Sequence, residues 1–447
     1  MNRITDFAVS ALVPLCRRSF RAGAAISALA LCLGVGAASA QVFSDDVRVN
    51  DLAPGDQSAP AIAVSKEGIL HVAWTDTREG DTNVYSAAST DGGRTFGENR
   101  RANDNGAGEQ SSPTLVVAED GTVFVAWVDD RAGSLDVYLG SSADGGVSFS
   151  ESARANFRTQ GDQTEPTMAV ATDGDLYVSW ADRRTDDADI YVTRSTDGGD
   201  TFSLATRANQ KTSGNQTAPS ILAVAGGTTF AAWTDDRLGT KDVYLARSTD
   251  GGEIFSSAVS ISDDTGDDQS QVRLALPQDG NGTILYATWT DTRSGSEDIY
   301  FGKSTDGGAT FGDSVRVNDF GNTAAQNHSS LAVDKDGVIH VAWADNKKGT
   351  SDIYYALSTD GGQTFSADVR VNVDFGDEQA APAVALDRGG RVFVVWQDNR
   401  AGSSQDIYLS GDHYLGPLVP AGSGIGLAAA ALAVGLCARF QGRRRQE

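Results

Sequence analysis

The feature that most constrains this chain is the recurrence of tryptophan at an almost constant interval. The seven tryptophans are Trp74, Trp127, Trp180, Trp233, Trp289, Trp343 and Trp396, separated by 53, 53, 53, 56, 54 and 53 residues. A period of this length is typical of an array of similar structural units, each of which packs on its neighbours. The spacing therefore predicts seven repeats between residues 41 and 416.

Within each repeat the residues alternate as they do in β-strands, with glycine-containing turns between the strands. In the sixth repeat the pattern predicts strands at 330–333, 338–343, 352–357 and 368–372. The dipeptide Asp336-Gly337 between the first two is a strong hairpin signal. Four short antiparallel strands per repeat make up one blade of a β-propeller.

The two ends of the repeat array complement one another. The seventh repeat stops after its third strand, at residues 406–409, whereas residues 45–50 resemble the fourth strand of other repeats, such as 369–372. We therefore expect an all-β fold, a seven-bladed β-propeller of four-stranded antiparallel blades. Its N-terminal strand would complete blade seven and so remove the exposed edges of an open array.

An eight-residue motif, Ser-x-Asp-x-Gly-x-Thr-Phe, occurs six times with small variations. It resembles the Asp box of sialidases and other BNR-repeat β-propellers, and the likeness in the repeat extends over nearly all of residues 41–416. In a hairpin turn the aspartate accepts hydrogen bonds from local backbone N–H groups, while glycine permits a positive φ. We therefore predict a structural role for the six box aspartates, which are Asp91, Asp144, Asp197, Asp250, Asp306 and Asp360.

The resemblance also implies which activities to look for. Sialidases use a six-bladed propeller, three arginines that bind the sugar carboxylate, a Tyr–Glu pair and an aspartic acid. None of these catalytic residues can be carried over onto a position of this sequence, because no Arg-Ile-Pro motif precedes Asp91. We expect a binding or interaction module for a glycan or a surface protein. The alternative is an enzyme, either a sialidase-like glycoside hydrolase or a polysaccharide lyase.

Two further motifs recur and fall on the same face. Gln-x-x-Pro opens the first strand of most repeats, as in Gln57 to Pro60, and Trp-x-Asp-x-Arg ends the second strand, as in Trp127 to Arg131. Because the first strand begins where the second ends, both motifs lie on what we call the upper face. An active site requires groups with different roles, which near-identical copies in every repeat do not supply. The recurrence of the two motifs therefore favours a structural role, in which their polar side chains pair within and between blades.

The repetition breaks mainly in repeats four to six, where a specific site is expected if the upper face carries one. The residues predicted to bind a ligand are Arg273, Asn327, His328, Asp291 and Arg293. The same sector holds a run of acids, Asp263, Asp264, Asp267 and Asp268, whose oxygens would suit Ca²⁺. The competing interpretation of the irregular sector is sequence drift under relaxed constraint, and that of the acidic run is a solvated loop. No cofactor other than Ca²⁺ is expected.

Both ends of the chain have the composition of targeting segments. Residues 1–40 predict an export signal, of the twin-arginine or the ordinary secretory type. Residues 417–447 contain 18 uncharged residues followed by arginines, which predicts a hydrophobic helix that acts as a membrane anchor or sorting tail. We expect an exported protein of the bacterial envelope or cell surface, which C-terminal processing could release.

The remaining part, residues 41–416, contains no cysteine, so disulfides and thiolate metal sites are excluded there. Its net charge is about −30, because each terminal segment carries +3 of a total of −24. This charge argues against nucleic acid as a partner and against membrane contact other than through the C-terminal segment. We expect a monomeric propeller.

Overall fold

The computed structural model describes residues 43–412, except for 52–53, 105–107, 264–265, 279, 281, 320–323, 375, 401 and 403. The predictions for residues 1–40 and 417–447, and that for Asp264, fall outside these ranges. The described chain folds into 28 strands, β1 to β28, arranged in seven four-stranded sheets. Among the described residues, no helix has the length and the apolar character needed to cross a membrane.

Each sheet is one antiparallel blade with strands in the order A, B, C and D. The A strands are β2 (Gln57–Val64), β6 (Gln110–Val117), β10 (Gln163–Val170), β14 (Gln216–Val224), β18 (Gln269–Ala275), β22 (Gln326–Val333) and β26 (Gln379–Leu386). The B strands are β3 (Leu70–Asp76), β7 (Val123–Asp129), β11 (Leu176–Asp182), β15 (Thr228–Asp235), β19 (Leu285–Asp291), β23 (Ile339–Asp345) and β27 (Val392–Asp398).

The outer half of each blade consists of one long and one short strand. The C strands are β4 (Asn83–Ser89), β8 (Asp136–Ser142), β12 (Asp189–Ser195), β16 (Asp242–Ser248), β20 (Asp298–Ser304), β24 (Asp352–Ser358) and β28 (Asp406–Gly411). The D strands are β5 (Arg100–Arg101), β9 (Ala153–Arg154), β13 (Thr206–Arg207), β17 (Val259–Ser260), β21 (Val315–Arg316), β25 (Val369–Arg370) and, for blade seven, β1 (Val47–Arg48).

The A strands of adjacent blades contact one another around the whole ring, including β2 with β26. They are therefore the innermost strands and line a central channel. The B strands are buried along almost their entire length, because neighbouring blades cover both of their faces. Each B strand carries one of the seven tryptophans, all fully buried, so the repeat in the sequence marks the core between the blades.

The predicted closure of the ring is confirmed. Val47 and Arg48 pair with Leu409 and Tyr408, which places β1 on the outer edge of blade seven. A bridge between Phe43 and Asp412 extends this contact. The seven-bladed propeller predicted from the sequence is thus the observed fold.

Candidate functional site

The Trp-x-Asp-x-Arg motif forms a buried cluster at the upper end of the B strand in every blade except blade six, where Lys347 replaces the arginine and the Trp343 indole N–H has no partner among the described residues. In blade two the Trp127 indole N–H donates to Asp129 Oδ2 at 3.0 Å, and Arg131 donates to the same oxygen through Nε at 2.9 Å and Nη2 at 2.6 Å. The Arg131 guanidinium lies 4.4 Å from the ring centre of Tyr138. Each polar group of the motif is therefore committed to a neighbour within the blade.

In every blade except blade five, the side chain of the glutamine that opens the A strand joins the blade to the one before it. Gln163 Oε1 accepts from Asn156 Nδ2 at 2.8 Å, and Asn156 belongs to the D strand region of the preceding blade. Asn156 Oδ1 accepts from the Val137 amide at 2.8 Å, and its Nδ2 also donates to Asp136 at 2.6 Å. These side chains are almost completely buried, so the Gln and Asn motifs hold adjacent blades together.

Two of the predicted ligand residues, Asp291 and Arg293, lie in the Trp-Asp-Arg cluster of blade five. Asp291 is fully buried and accepts from the Trp289 indole at 2.9 Å and from Arg293 Nη2 at 2.7 Å. Burial alone would lower the pKa of Arg293, but hydrogen bonds with Asp291 and Asp263 outweigh burial and raise it. The structure thus places both residues in a regular cluster, where their polar groups already have partners.

The acidic run between blades four and five is distributed over different contacts. Asp263 accepts from Arg293 Nη1 at 2.8 Å and from the Ser314 amide at 3.0 Å. Asp268 Oδ1 accepts from the Lys241 amide at 2.9 Å, and the backbone carbonyl of Asp267 accepts from Gln269. Within the described ranges, which omit Asp264, no group of three or more metal-binding side chains converges. The Ca²⁺ site remains a prediction.

Each Asp box closes a turn at the lower end of a C strand. In blade five Asp306 Oδ1 accepts from the Ser304 hydroxyl at 2.8 Å and from the Thr310 amide at 2.9 Å, while Oδ2 accepts from the Thr310 hydroxyl at 2.6 Å. Hydrogen bonds from Thr310 and then from Ser304 lower the pKa of Asp306 to about 2. Gly308 has a positive φ of 79°, and a Cβ there would lie 2.9 Å from Leu245 of the preceding blade.

The A strands share an unusual backbone feature near the upper end of the channel. The third residue of each adopts a left-handed φ between 49° and 58°, and the pairing with the B strand shifts register there, as in a β-bulge. Such a conformation is rare outside glycine and marks positions to examine for function. The seven residues are Ala59, Ser112, Glu165, Ala218, Gln271, His328 and Ala381.

Four of these seven side chains are small, whereas the other three are Glu165, Gln271 and His328. Blade five also differs from the other blades at the fifth residue of its A strand, where Arg273 replaces the Ala, Ser or Thr of every other blade. The A strands line the channel, so these four residues form an asymmetric polar group at its upper opening. We call this group, together with Asn327, the mouth cluster.

Hydrogen bonds connect much of the mouth cluster. Gln271 Oε1 accepts from the His328 amide at 3.0 Å, and Gln271 Nε2 lies 3.3 Å from His328 Nε2. His328 Nδ1 lies 2.8 Å from Asn327 Oδ1, and Asn327 Nδ2 donates to Glu297 Oε2 at 2.8 Å. The bond from the His328 amide to Gln271 Oε1 fixes the orientation of the Gln271 side-chain amide, and the bond from Asn327 Nδ2 to Glu297 fixes that of Asn327. A neutral imidazole with its hydrogen on Nδ1 therefore satisfies both neighbours.

Electrostatics in the cluster favour that neutral form. Burial, and after it the charge of Arg273, lowers the pKa of His328, while Glu297 opposes this effect. His328 is nevertheless exposed to solvent at the channel opening. Its imidazole can therefore offer a ring face and polar edges to a ligand without carrying a charge at neutral pH.

Arg273 differs from the arginines of the regular clusters. Within the described residues its guanidinium makes one hydrogen bond, from Nη1 to the carbonyl of Val272 at 3.0 Å, although an arginine has five N–H donors. The side chain is exposed to the channel but surrounded by protein, so desolvation lowers its pKa, while the charge of Glu165 opposes this shift. A cation with unused donors in such a position is suited to bind an anionic or hydroxyl-rich ligand.

Glu165 and Gln271 were missed by the sequence interpretation. In blade three, Pro166 keeps the Gln-x-x-Pro motif intact, which hides the change at the residue before it. The available signal was the third position of the motif, where Glu165 replaces Ala or Ser. The structure thus brings together three predicted residues, Arg273, His328 and Asn327, and adds two more.

Comparison with known proteins agrees with this architecture. Residues 69–271 match the BNR repeat-like domain family. An α-L-arabinanase of Penicillium chrysogenum shares 15% identity and a TM-score of 0.51 over 83% of this chain and 98% of its own. A protein of unknown function from Dyadobacter fermentans shares 15% identity and a TM-score of 0.53 over 83% and 98%.

A third solved structure is that of an ulvan lyase, a member of a polysaccharide lyase family. It shares 13% identity with this chain and has a TM-score of 0.54 over 83% of this chain and 95% of its own. No curated protein sequence matches the chain. At these identities the structural likeness extends to the fold alone. The repeat-domain match over residues 69–271 and the six Asp boxes nevertheless agree, so this seven-bladed β-propeller contains a region of BNR-like repeats.

Proposed function

We propose that this protein is an exported binding propeller, held at the cell envelope by its C-terminal segment, that binds a glycan at the mouth cluster. The observation that carries the proposal is the break in repetition at the channel opening. Arg273 stands where every other blade has a small residue, Glu165 and His328 stand where four of the seven blades have one, and Arg273 has unused hydrogen-bond donors.

The chemistry of the cluster is suited to a hydroxyl-rich ligand. Glu165 supplies acceptors, Arg273 supplies donors, and Asn327 and Gln271 supply both. Ligand sites commonly combine a concave surface with a few convergent polar groups of this kind. A glycan with an acidic substituent would fit best, because Arg273 can bind a carboxylate or sulfate through two parallel hydrogen bonds.

The test uses the repeat itself as a guide. In the triple variant Glu165→Ala, Arg273→Ser and His328→Ala, each new residue occurs at the same position in another blade, as Ala59 and Ser330 do. We expect the full-length variant to melt like the wild type but to lose binding on an array of neutral and acidic glycans. Ser112→Ala, at the equivalent position of blade two, is the matched control and should bind normally.

Two outcomes would contradict the proposal: a triple variant that binds glycans like the wild type, or a wild type that binds none. The enzymatic alternative is tested on the same samples, because Glu165 is a carboxylate exposed beside the channel. Cleavage of an array oligosaccharide by the wild type but not by the triple variant would establish a hydrolase or lyase. We expect binding without cleavage, because the mouth cluster contains a single carboxylate, Glu165, whereas most glycoside hydrolases use two.

A further inference from the structure

Below the mouth cluster, most of the residues that line the central channel are aliphatic. A cavity of about 700 Å³ lies between the lower halves of the A strands in blades three to seven and the turns that follow them. Leucine, valine and alanine make up most of the lining residues, among them Leu222, Leu274, Leu276, Leu331 and Val333. Most of these side chains are only partly buried by the protein itself. Each of the five also packs against a core cluster between the blades, so only part of each side chain faces the cavity, beside polar atoms of the wall.

The apolar wall and the unusual cation belong to one strand. Arg273 is followed directly by Leu274 and Ala275, which line the cavity, and then by Leu276. At about 3.3 Å per residue, the wall at Leu276 begins about 10 Å from the backbone of Arg273. In every other blade the residue at the Arg273 position is small and uncharged. The only charged residue at this position in the ring therefore lies directly above an apolar cavity.

We propose that the channel binds an amphipathic anion, a molecule with one carboxylate, sulfate or phosphate group on an aliphatic chain. The anionic group is bound by the unused donors of Arg273, and the chain lies along Leu274, Leu276 and Leu222 in the cavity. This inference rests on the proposed function, because it uses the same arginine. It adds that the natural glycan ligand carries an aliphatic substituent that reaches into the channel.

Charge complementarity favours this occupant over an uncharged lipid. The apolar wall alone would accept any aliphatic chain, whereas Arg273 adds a charge-assisted hydrogen bond for an anion at one end. Among the described contacts Glu165 forms no ion pair with Arg273, and its Oε2 accepts from the Ala218 amide at 2.6 Å, so the guanidinium donors stay available to an anion. The polar and apolar halves of the channel together define a ligand with one charged end.

The experiment measures binding of straight-chain carboxylates from butanoate to decanoate to the full-length protein by titration calorimetry. Each added CH₂ that enters the cavity should tighten binding roughly four-fold, which corresponds to about 0.8 kcal/mol. The matching alcohols should bind more weakly at every length. In Arg273→Met the carboxylates should fall to the affinity of the alcohols.

Variants of the wall separate the cavity from other apolar surfaces. Leu276→Gln should abolish the dependence on chain length and leave butanoate binding unchanged, and Val224→Gln provides a second variant of the same wall in case the first does not fold. Leu238→Gln is the matched control, because Leu238 is 68% exposed and is not part of the cavity wall. It should retain the full dependence on chain length.

The inference is overturned if octanoate binds no more tightly than butanoate, or if both wall variants keep the wild-type dependence. Glycan binding measured on the same protein distinguishes this failure from failure of the proposed function. A protein that binds glycans through Arg273 but shows no dependence on chain length would retain its proposed function and lose only the aliphatic part of the ligand.

Discussion

At the scale of single residues, the asparagine of the D strand region is the main link between blades. In blade seven Asn50 donates to Gln57 of blade one at 2.9 Å, and its Oδ1 accepts from the Ile407 amide at 2.7 Å. Between blades four and five a serine, Ser262, stands in its place. Gln269 Oε1 is buried there and has no hydrogen-bond partner in the described part of the chain. This junction is therefore weaker than its counterparts.

Ser262→Asn should strengthen that junction. The new amide can donate to Gln269 Oε1, as Asn50 donates to Gln57, so the free energy of unfolding should rise by about 1–3 kcal/mol, the usual cost of a buried polar group without a partner. Denaturant unfolding is the measurement. Ser257→Asn, at an exposed serine nearby, is the control and should have no effect. An unchanged midpoint for Ser262→Asn would show that Gln269 is satisfied in another way, for instance by water.

The sequence allowed part of the site to be predicted at this scale. Arg273, Asn327 and His328 were found because both of their A strands lack the proline of the motif, so the break in the pattern is visible. Asp291 and Arg293 belong to a motif whose residues are bound to one another in the folded blade, which composition alone does not reveal. Glu165 was missed because Pro166 keeps the motif intact, and the change at the third position gains its meaning only from the left-handed bulge at the channel opening.

At the scale of elements, the same bulge explains where the predicted strands differ from the observed ones. In blade six the alternation of residues predicts a first strand at 330–333, whereas β22 begins at Gln326. The bulge at His328, with a φ of 54°, shifts the register and breaks the two-residue period. The B and C strands lack such a feature, and their predicted positions agree with the observed strands to within two residues.

The Asp box is the element that should respond most to acid. Hydrogen bonds lower the pKa values of Asp197, Asp306 and Asp360 to about 2, below that of an unfolded aspartate at about 4. Since the folded pKa is the lower one, these groups stabilise the fold fully above about pH 4, and the contribution is lost as the pH falls towards 2. The melting temperature should therefore drop mainly in that window.

Asp306→Ala tests this element directly. The variant should melt below the wild type at neutral pH, because the amide and hydroxyl of Thr310 and the hydroxyl of Ser304 lose their acceptor. It should also lose less stability than the wild type between pH 4 and pH 2, while ligand affinity at neutral pH stays unchanged. Asp313→Ala, at an exposed acid beside the same turn, is the control. Lost ligand binding with normal melting would contradict the structural role.

At the scale of the whole molecule, one strand holds the ring closed. β1 is the fourth strand of blade seven, and Val49, the residue that follows it, is buried against blades one and seven. The sequence sufficed to predict this arrangement because the seventh repeat lacks a fourth strand and residues 45–50 resemble one. Blade number and closure follow from the repeat alone, whereas the asymmetry of the channel needs the folded ring.

A protein that lacks residues 44–50 should lose stability throughout the propeller, because the deletion exposes the edge of β28 and removes Asn50 from the junction. A synthetic peptide of residues 43–51 should restore the melting temperature as its concentration rises. The same peptide with Asn50→Ala should restore much less, since it lacks the contacts with Gln57 and Asp406. A melting temperature that changes neither with the deletion nor with the peptide would contradict this role for β1.

The pairing of Val47 with Leu409 also has a kinetic consequence. Contacts inside a blade join residues that are close in sequence and can form early, whereas this pair joins the two ends of the described chain. Bringing such distant residues together carries the largest loop-closure entropy in the ring. Six blades can therefore form before the seventh, and the slowest step of folding would be the meeting of the first strand to be synthesised with one of the last.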